Sequence, residues 1–530
     1  MTSPAGRGHS RREVLALLGG ALAWTVAGCG SDPPPGSTLA RSLVDPDGDG
    51  LLSDGPAEPL RDRTELGGGG RTERVLARLA QVSDVHVRDA QSPARVPFLD
   101  PLGPRLGAAF RPHETLTAQL LAATVASVND WGEAEAVLVT GDLIDSAQRN
   151  ELDWALALLG GRSAVPDSGG GGYRGVQSAS NPDPLYYRPE VDAPRHPDLL
   201  GRAVRPVRSP GLRAPWWPVI GNHDILVQGE VAPSAAITAV ATGDRLVVAP
   251  DLELARFADR TRLSREEVDA LLRGGVPGDA IRVPADGRRA HMSASEAVAR
   301  LRAAAPGRPR ADGGRLDYAF DVGEHLRVVA LDLTRRDAGA DGLVTESTLA
   351  FLAEALADAG ERHVLVACHQ PLEASVGGEA VLALLDSDPR VAAVLAGHTH
   401  RNAIEPRRGA AGGYWLVTTA SIVDFPQQWR ALSLVATPRG GVALETWMVD
   451  HSGRPNDEED LAGIARDLAF LDPQGGRPAN AAGPPSARNV RLHLPARALR
   501  PPRRRPRLPA LPPASAPPST AGAGDALAVR

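Results

Sequence analysis

Short apolar runs separated by amphipathic stretches dominate the middle of this chain. Five of the runs have the length of a buried strand and cover residues 75–82, 136–140, 216–220, 364–367 and 391–396. Helical spacing of apolar residues lies between the runs, as over 114–128 and 348–356. Strand-length runs that alternate with helical stretches predict an α/β domain over about residues 73–455.

Two long stretches without clear periodicity interrupt this pattern, and we predict that both are insertions, at about 160–214 and about 227–315. The flanks differ in composition. Residues 30–72 are rich in Pro, Gly and Asp, which predicts a flexible spacer. Residues 473–530 are rich in Pro, Ala and Arg, which predicts a disordered tail.

Composition narrows the class of protein. With 530 residues, 42% of them apolar, the chain is long enough for one large domain or two ordinary ones. The formal net charge of -6 is small for this length, so we expect no nucleic-acid partner.

The amino terminus has the layout of an export signal over residues 1–29. Arg11 and Arg12 precede an apolar stretch, 15–26, that is too short to span a bilayer. The pair resembles a twin-arginine signal, and the alternative is an ordinary secretory signal. The end of the run resembles a lipobox with acylation at Cys29, and the alternative is a plain cleavage site. The resulting prediction is an extracytoplasmic protein, anchored to the membrane through Cys29 or secreted.

Polar residues of metal-ligand type follow each of the five strand-like runs. Asp84 and His86 follow the first, where an extended chain would send both side chains the same way. Gly141 and Asp142 follow the second, and Asp145 lies one turn further. The glycine allows a sharp turn, after which the Asp142 carboxylate could bridge two cations. Turn or helix-cap chemistry is the alternative for both aspartates.

The other three runs end in the same way. Asn222, after the third, offers a neutral carbonyl oxygen to a metal, and the neighbouring His223 could face a substrate oxygen. His369 follows the fourth run, and His398 and His400 follow the fifth. Each of these histidines, taken alone, could instead be an ordinary core or surface residue.

Taken together, Asp84/His86, Gly141-Asp142-x-x-Asp145, Gly221-Asn222-His223-Asp224, His369 and Gly397-His398-x-His400 closely resemble the motifs of the calcineurin-like metallophosphoesterase superfamily. The resemblance implies two packed mixed β-sheets flanked by helices. It also implies a binuclear site in which Asp84, His86 and His400 hold one metal, Asn222, His369 and His398 hold the other, and Asp142 bridges.

The same resemblance implies a mechanism. Two ions of Fe, Mn or Zn would generate a bridging hydroxide that attacks phosphorus, and His223 would protonate the leaving oxygen. Asp145 and Asp224 are candidates for orienting a histidine, with Asp145 favoured. Purple acid phosphatases carry Tyr at the position of Asp145, so we expect no purple chromophore.

The predicted function is hydrolysis of a phosphomonoester or phosphodiester. A nuclease or cyclic-nucleotide phosphodiesterase of the same superfamily is the alternative, although only 4% of the residues are aromatic. A binding protein with a vestigial metal site is a further alternative. Several polar residues near the motifs are weak candidates for substrate contact, which surface charge or capping would explain as well: Arg111, His113, Glu114, Arg401 and Asn402.

Overall fold

The computed structural model describes residues 33–102, 109–250, 265–273, 278–310, 314–496 and 508–512. The export signal predicted over 1–29 therefore lies outside the described residues. Within the described ranges, no helix is both long enough and apolar enough to cross a bilayer.

The described residues form nineteen strands. They are β1 Ser42–Val44, β2 Ser53–Gly55, β3 Arg61–Arg63, β4 Arg74–Val82, β5 Ala136–Thr140, β6 Ser163–Ala164, β7 Val207–Arg208, β8 Trp216–Val219, β9 Arg245–Pro250, β10 Gly278–Arg282, β11 Tyr318–Val322, β12 Leu326–Leu331, β13 His363–Cys368, β14 Val391–Ala396, β15 Ala403–Arg407, β16 Tyr414–Thr418, β17 Gln428–Thr437, β18 Gly441–Asp450 and β19 Val490–His493.

Nine α-helices lie in the same described ranges. They are α1 Thr117–Trp131, α2 Arg149–Leu159, α3 Leu199–Ala203, α4 Ala235–Thr242, α5 Arg265–Leu272, α6 Ala294–Ala304, α7 Glu346–Ala357, α8 Gly378–Asp386 and α9 Leu461–Leu471.

Two large mixed sheets organise these elements. One has seven strands in the order β3-β19-β18-β17-β4-β5-β8, and the other has six in the order β11-β12-β13-β14-β16-β15. Strands β4, β5 and β8 run parallel, as do β12, β13, β14 and β16. The predicted α/β class with mixed sheets agrees with this architecture.

The side chains of β13 show how the two sheets pack together. Leu365 and Ala367 point into a core that they share with the seven-stranded sheet, whereas Val364, Val366 and Cys368 pack with α7 and α8 on the other face. Successive residues of a strand face opposite sides, so a strand buried on both faces must be apolar throughout. Cys368 is accordingly a buried core thiol.

The stretches without clear periodicity contain regular structure of their own. Strands β6 and β7 and helix α3 lie within 160–214, and α4 to α6 with β9 and β10 lie within 227–315. That these stretches are insertions stays a prediction.

The predicted spacer and tail need correction where the structure describes them. Strand β3 of the spacer pairs in parallel with β19 of the tail, and β19 pairs with β18 in the seven-stranded sheet. Val490 and Leu492 of β19 are fully buried. The composition of each segment offers too little apolar surface locally, but the distant partner strand completes the burial. The prediction of flexibility was therefore wrong for β3 and β19.

Candidate metal centre

The loops after the parallel strands β4 and β5 are joined by main-chain hydrogen bonds. The N–H of Asp84 donates to the carbonyl of Gly141 at 3.1 Å, and the N–H of His86 donates to that of Asp142 at 2.9 Å. Both loops leave the sheet at the carboxyl ends of the strands, where open α/β sheets carry their sites.

Five site residues adopt left-handed backbone conformations: Asp84, His86, Asp142, His398 and His400, with φ between 48° and 68°. Non-glycine residues rarely adopt this region, and such strain concentrates at functional sites. The expectation that an extended chain aligns Asp84 with His86 was wrong, because β4 ends at Val82. Two left-handed turns bring these side chains together instead.

Asp84, His86 and His400 form one group of candidate ligands. The Nε2 atom of His400 lies 3.3 Å from Oδ1 of Asp84 and 3.2 Å from Nε2 of His86. The Nδ1 atom of each ring contacts a carboxylate, that of Asp145 for His86 at 3.2 Å and that of Asp424 for His400. Each carboxylate holds Nδ1, so that Nε2 is the ring atom that faces the other members of the group.

Asp142, His369 and His398 form a second group. The Nδ1–H of His369 donates to the carbonyl of Thr140 at 2.9 Å, which leaves Nε2 facing Oδ2 of Asp142 at 3.1 Å and Nδ1 of His398 at 3.3 Å. Gly141 makes this approach feasible, because a Cβ atom there would lie 2.4 Å from Nδ1 of His369.

The carboxylate of Asp142 lies between the two groups. Its Oδ2 atom is 3.1 Å from Nε2 of His369 and 3.6 Å from Nε2 of His86, and its Oδ1 atom accepts the N–H of His223 at 2.9 Å. Oδ2 of Asp142 thus faces one histidine of each group, as the predicted bridging position requires, while the main chain holds Oδ1.

Asn222 lies beside these residues with its amide oriented by the chain. Its Nδ2 donates to the carbonyl of Gly229 at 3.1 Å, so Oδ1 is the atom left for a cation. The Nε2 of Gln370 lies 3.4 Å from that Oδ1. An amide oxygen held in this way fits the ligand role predicted for Asn222.

The three predicted catalytic residues have different surroundings. The Nδ1–H of His223 donates to the main-chain carbonyl of Asp145 at 2.6 Å, and the His223 side chain is 15% exposed. The carboxylate of Asp145 binds His86, so Asp145 orients two histidines through different atoms. Asp224 accepts the N–H groups of Gly221 and Ile144 at 2.8 and 3.1 Å. Through these bonds Asp224 links the loop after β8 to the loop after β5. Its contacts do not support the catalytic role predicted for Asp224.

The electrostatics of the centre fit bound cations. Burial lowers the pKa of His86 and of His398 to about 4, so both rings are neutral at pH 7. Burial opposes charge on His369 and His400 as well, but the carboxylates of Asp142 and Asp84 raise their pKa to about 9 and about 10. The carboxylates therefore attract positive charge at the Nε2 atoms, where a metal ion would bind.

The types and arrangement of the donor atoms also fit a bound metal ion. Because carboxylates hold Nδ1 of both rings, the opposed Nε2 atoms of His86 and His400 need a positive charge between them; the second proton of charged His400 supplies it, and a metal ion would supply it in place of that proton. Mixed imidazole and carboxylate donors suit Fe, Mn or Zn. Fold and site together define a mixed α/β protein with clustered candidate metal ligands at its strand ends.

Sequence reasoning missed several residues of this centre. Asp424, which holds His400, follows the apolar pair Ile422-Val423 without a motif. Arg88 and Gln228 bind the Asp145 carboxylate at 2.7 and 3.0 Å. Nothing in their local sequence signals these contacts.

Comparisons with known proteins add little at this level. No protein-family model matches the chain, and no curated protein matches its sequence. Among solved structures, the chain is similar to that described as the structure of PhoD, with 11% identity, a TM-score of 0.28 and 79% of each chain covered. It is also similar to a sulfate thiohydrolase SoxB from Thermus thermophilus in complex with glycerol, with 15% identity and a TM-score of 0.28. That alignment covers 77% of this chain and 61% of SoxB. At these TM-scores neither likeness carries an argument about this chain.

Proposed function

We propose that this chain is a metal-dependent phosphoesterase of the calcineurin-like type, with two metal ions in the centre described above. The single observation that carries the proposal is the convergence of five separate sequence motifs on one site, with Oδ2 of Asp142 facing a histidine of each ligand group. In this assignment Asp84, His86 and His400 would hold one ion, and Asn222, His369 and His398 would hold the other. Asp142 would bridge the two.

Two bound cations would supply an activated water and neutralise charge on phosphoryl oxygens. The chain supplies the remaining chemistry. Because the main-chain carbonyl of Asp145 takes the Nδ1–H of His223, Nε2 of His223 is the ring atom that can pass a proton to the leaving oxygen. The side chain of His223 is 15% exposed, as is needed of a residue that meets substrate.

The export and lipid anchor predicted from residues 1–29 form part of the proposal. Substrate would be a phosphate ester outside the cytoplasm, and no nucleic-acid partner is expected. Cell fractionation of the full chain tests the anchor. Cys29→Ala should move the protein from the membrane fraction to the soluble fraction, and an unchanged distribution would rule out acylation at Cys29.

Activity measurements test the chemistry. Metal-reconstituted protein should hydrolyse p-nitrophenyl phosphate or its bis ester, and His223→Ala and Asp142→Asn should each remove most of that activity. His325→Ala is a matched control, because His325 precedes β12 at the end of the six-stranded sheet opposite to His369. Full activity in both site variants would exclude the mechanism.

A panel of monoesters, diesters and nucleotides measured on the same preparation would assign the substrate class. Preference for a cyclic nucleotide or for DNA over the aryl esters would favour the nuclease or phosphodiesterase alternative. Two bound metals without hydrolysis of any member would favour a binding protein.

A further inference from the structure

The short segment Arg111-Pro112-His113-Glu114 contacts the carboxylate networks that hold two candidate ligands, His400 and His86, in place. The guanidinium of Arg111 donates to both oxygens of Asp424, from Nε at 2.5 Å and from Nη2 at 3.0 Å. Asp424 in turn holds Nδ1 of His400. Two residues further on, His113 contacts the carbonyl of Val423 through Nε2 at 2.7 Å, which fixes the main chain beside Asp424.

Glu114, at the end of the segment, reaches the other histidine of the same ligand group. Its Oε2 atom accepts from Nη1 of Arg88 at 2.9 Å, and Nη2 of Arg88 donates to Oδ1 of Asp145 at 2.7 Å. That Oδ1 atom is the one that contacts Nδ1 of His86. Arg95 closes the network by donating to both oxygens of Glu114 at 2.8 and 2.5 Å.

The network is buried and its charges balance. Arg111, His113 and Glu114 are each at most 2% exposed, so the surface-charge explanation considered for them from sequence was wrong. Three arginines face three carboxylates: Arg88, Arg95 and Arg111 against Glu114, Asp145 and Asp424. A buried carboxylate that holds a ligand histidine needs such a partner, because an unpaired charge in the interior is costly.

The second ligand group has a different support. The carbonyl of Thr140 takes Nδ1–H of His369, whereas the contacts given above for the 111–114 segment lead to His86 and His400. The two groups therefore depend on different parts of the chain, one on an ion network and the other on the main chain at the end of β5.

We propose that the Arg111–Glu114 segment is a positioning element for one metal position only, that of Asp84, His86 and His400. This inference rests on the proposed function, because it assumes that both ligand groups bind metal. Arg111 acts through Asp424, and Glu114 acts through Arg88 and Asp145.

Metal binding by Arg111→Lys tests the proposal. Lysine keeps the charge but cannot donate in parallel to both oxygens of Asp424. Arg390→Lys is the matched control, since Arg390 also binds both oxygens of a buried aspartate, Asp388, but at the start of β14, the end of the sheet away from the site. Metal-free protein is titrated with Co²⁺ and followed by visible absorption, and zinc content after dialysis is measured by mass spectrometry.

Wild type and Arg390→Lys should bind two equivalents of Co²⁺. Arg111→Lys should bind one with unchanged affinity and the other about 10- to 100-fold more weakly. Glu114→Gln, which keeps the side-chain shape, should likewise bind one equivalent with unchanged affinity and the other more weakly. If thermal melts show that Arg111→Lys is unfolded, Glu114→Gln replaces it in the test. If both are unfolded, Asp424→Asn takes the same test.

The outcomes separate the two proposals. Wild type that binds fewer than two equivalents contradicts the binuclear centre itself. Wild type with two equivalents, combined with variants that weaken both equivalents alike or neither, leaves the proposed function standing and overturns the positioning role of the segment.

Discussion

The Nε2 atoms of His86 and His400 face each other at 3.2 Å, while a carboxylate takes Nδ1 of each ring. This arrangement favours a cation, so metal should stabilise the fold. At a free metal concentration 100 times the dissociation constant, one site adds about 2.7 kcal/mol to the free energy of unfolding.

Thermal melts of metal-free protein with added Zn²⁺ or Mn²⁺ should therefore show a rise in Tm that a chelator reverses. His400→Ala should reduce the rise, because it removes one ligand of the first group. Mg²⁺, which prefers oxygen ligands, should raise Tm less. An equal Tm with and without every transition metal would contradict a metal centre.

Gly141 should be intolerant of a side chain. Its φ is +90°, and a Cβ atom would meet the ring of His369 at 2.4 Å. Gly141→Ala should lower the proposed hydrolysis of p-nitrophenyl esters about tenfold or more by displacing His369. Gly440→Ala is the control for backbone strain alone, because Gly440 has φ +74° and open space around the Cβ position. Equal activity in Gly141→Ala and Gly440→Ala would show that activity does not depend on the observed position of His369.

The candidate ligands could be predicted from the sequence because they follow continuous apolar runs. The run identifies a buried strand, and the first polar residues after it must leave the sheet at one edge. The residues that hold those side chains in place could not be predicted from the sequence. Arg111 and Asp424 are 313 positions apart, and nothing local distinguishes their contact from a surface charge.

The sequence likewise allowed only part of the fold to be predicted. Long apolar strands such as β13 were visible, whereas short strands with polar faces were not. Strand β3 contains only Arg61, Asp62 and Arg63, and it belongs to the sheet because β19 offers a free edge. Pairing of this kind depends on the whole fold and leaves no periodicity in a three-residue segment.

Truncation from the carboxyl terminus should show that β19 is structural. A chain that ends after residue 496 keeps β19, and one that ends after 484 loses it. Loss of β19 removes two buried apolar side chains, Val490 and Leu492, each worth about 1.5–3 kcal/mol when fully buried.

The chain that ends after 484 should therefore unfold at a lower denaturant concentration than the one that ends after 496. A chain that ends after 512 serves as the reference, because it keeps every described residue. If all three unfold at the same denaturant concentration, β19 does not contribute to the fold.

His291 should make the free energy of unfolding depend on pH in acid. Burial lowers the pKa of His291 to about 4, from 6.5 in the unfolded chain, and its Nε2 atom is buried without a hydrogen-bond partner in the described structure. Between pH 6.5 and 4 the unfolded state binds the extra proton. The contribution of His291 is thus complete above pH 6.5, and it falls as the pH decreases, by up to about 1.4 kcal/mol per pH unit.

Urea unfolding of wild type and His291→Phe across pH 4–7 measures this contribution. The free energy of unfolding should fall less steeply with decreasing pH in the variant than in wild type, because phenylalanine does not titrate. Thr238→Val removes the 3.1 Å contact between Oγ1 of Thr238 and Nδ1 of His291 but keeps the imidazole. Thr238→Val should change the free energy of unfolding by a similar amount at every pH and leave its dependence on pH as steep as in wild type. Parallel curves for wild type and His291→Phe would show that the pKa of His291 is not lowered by burial.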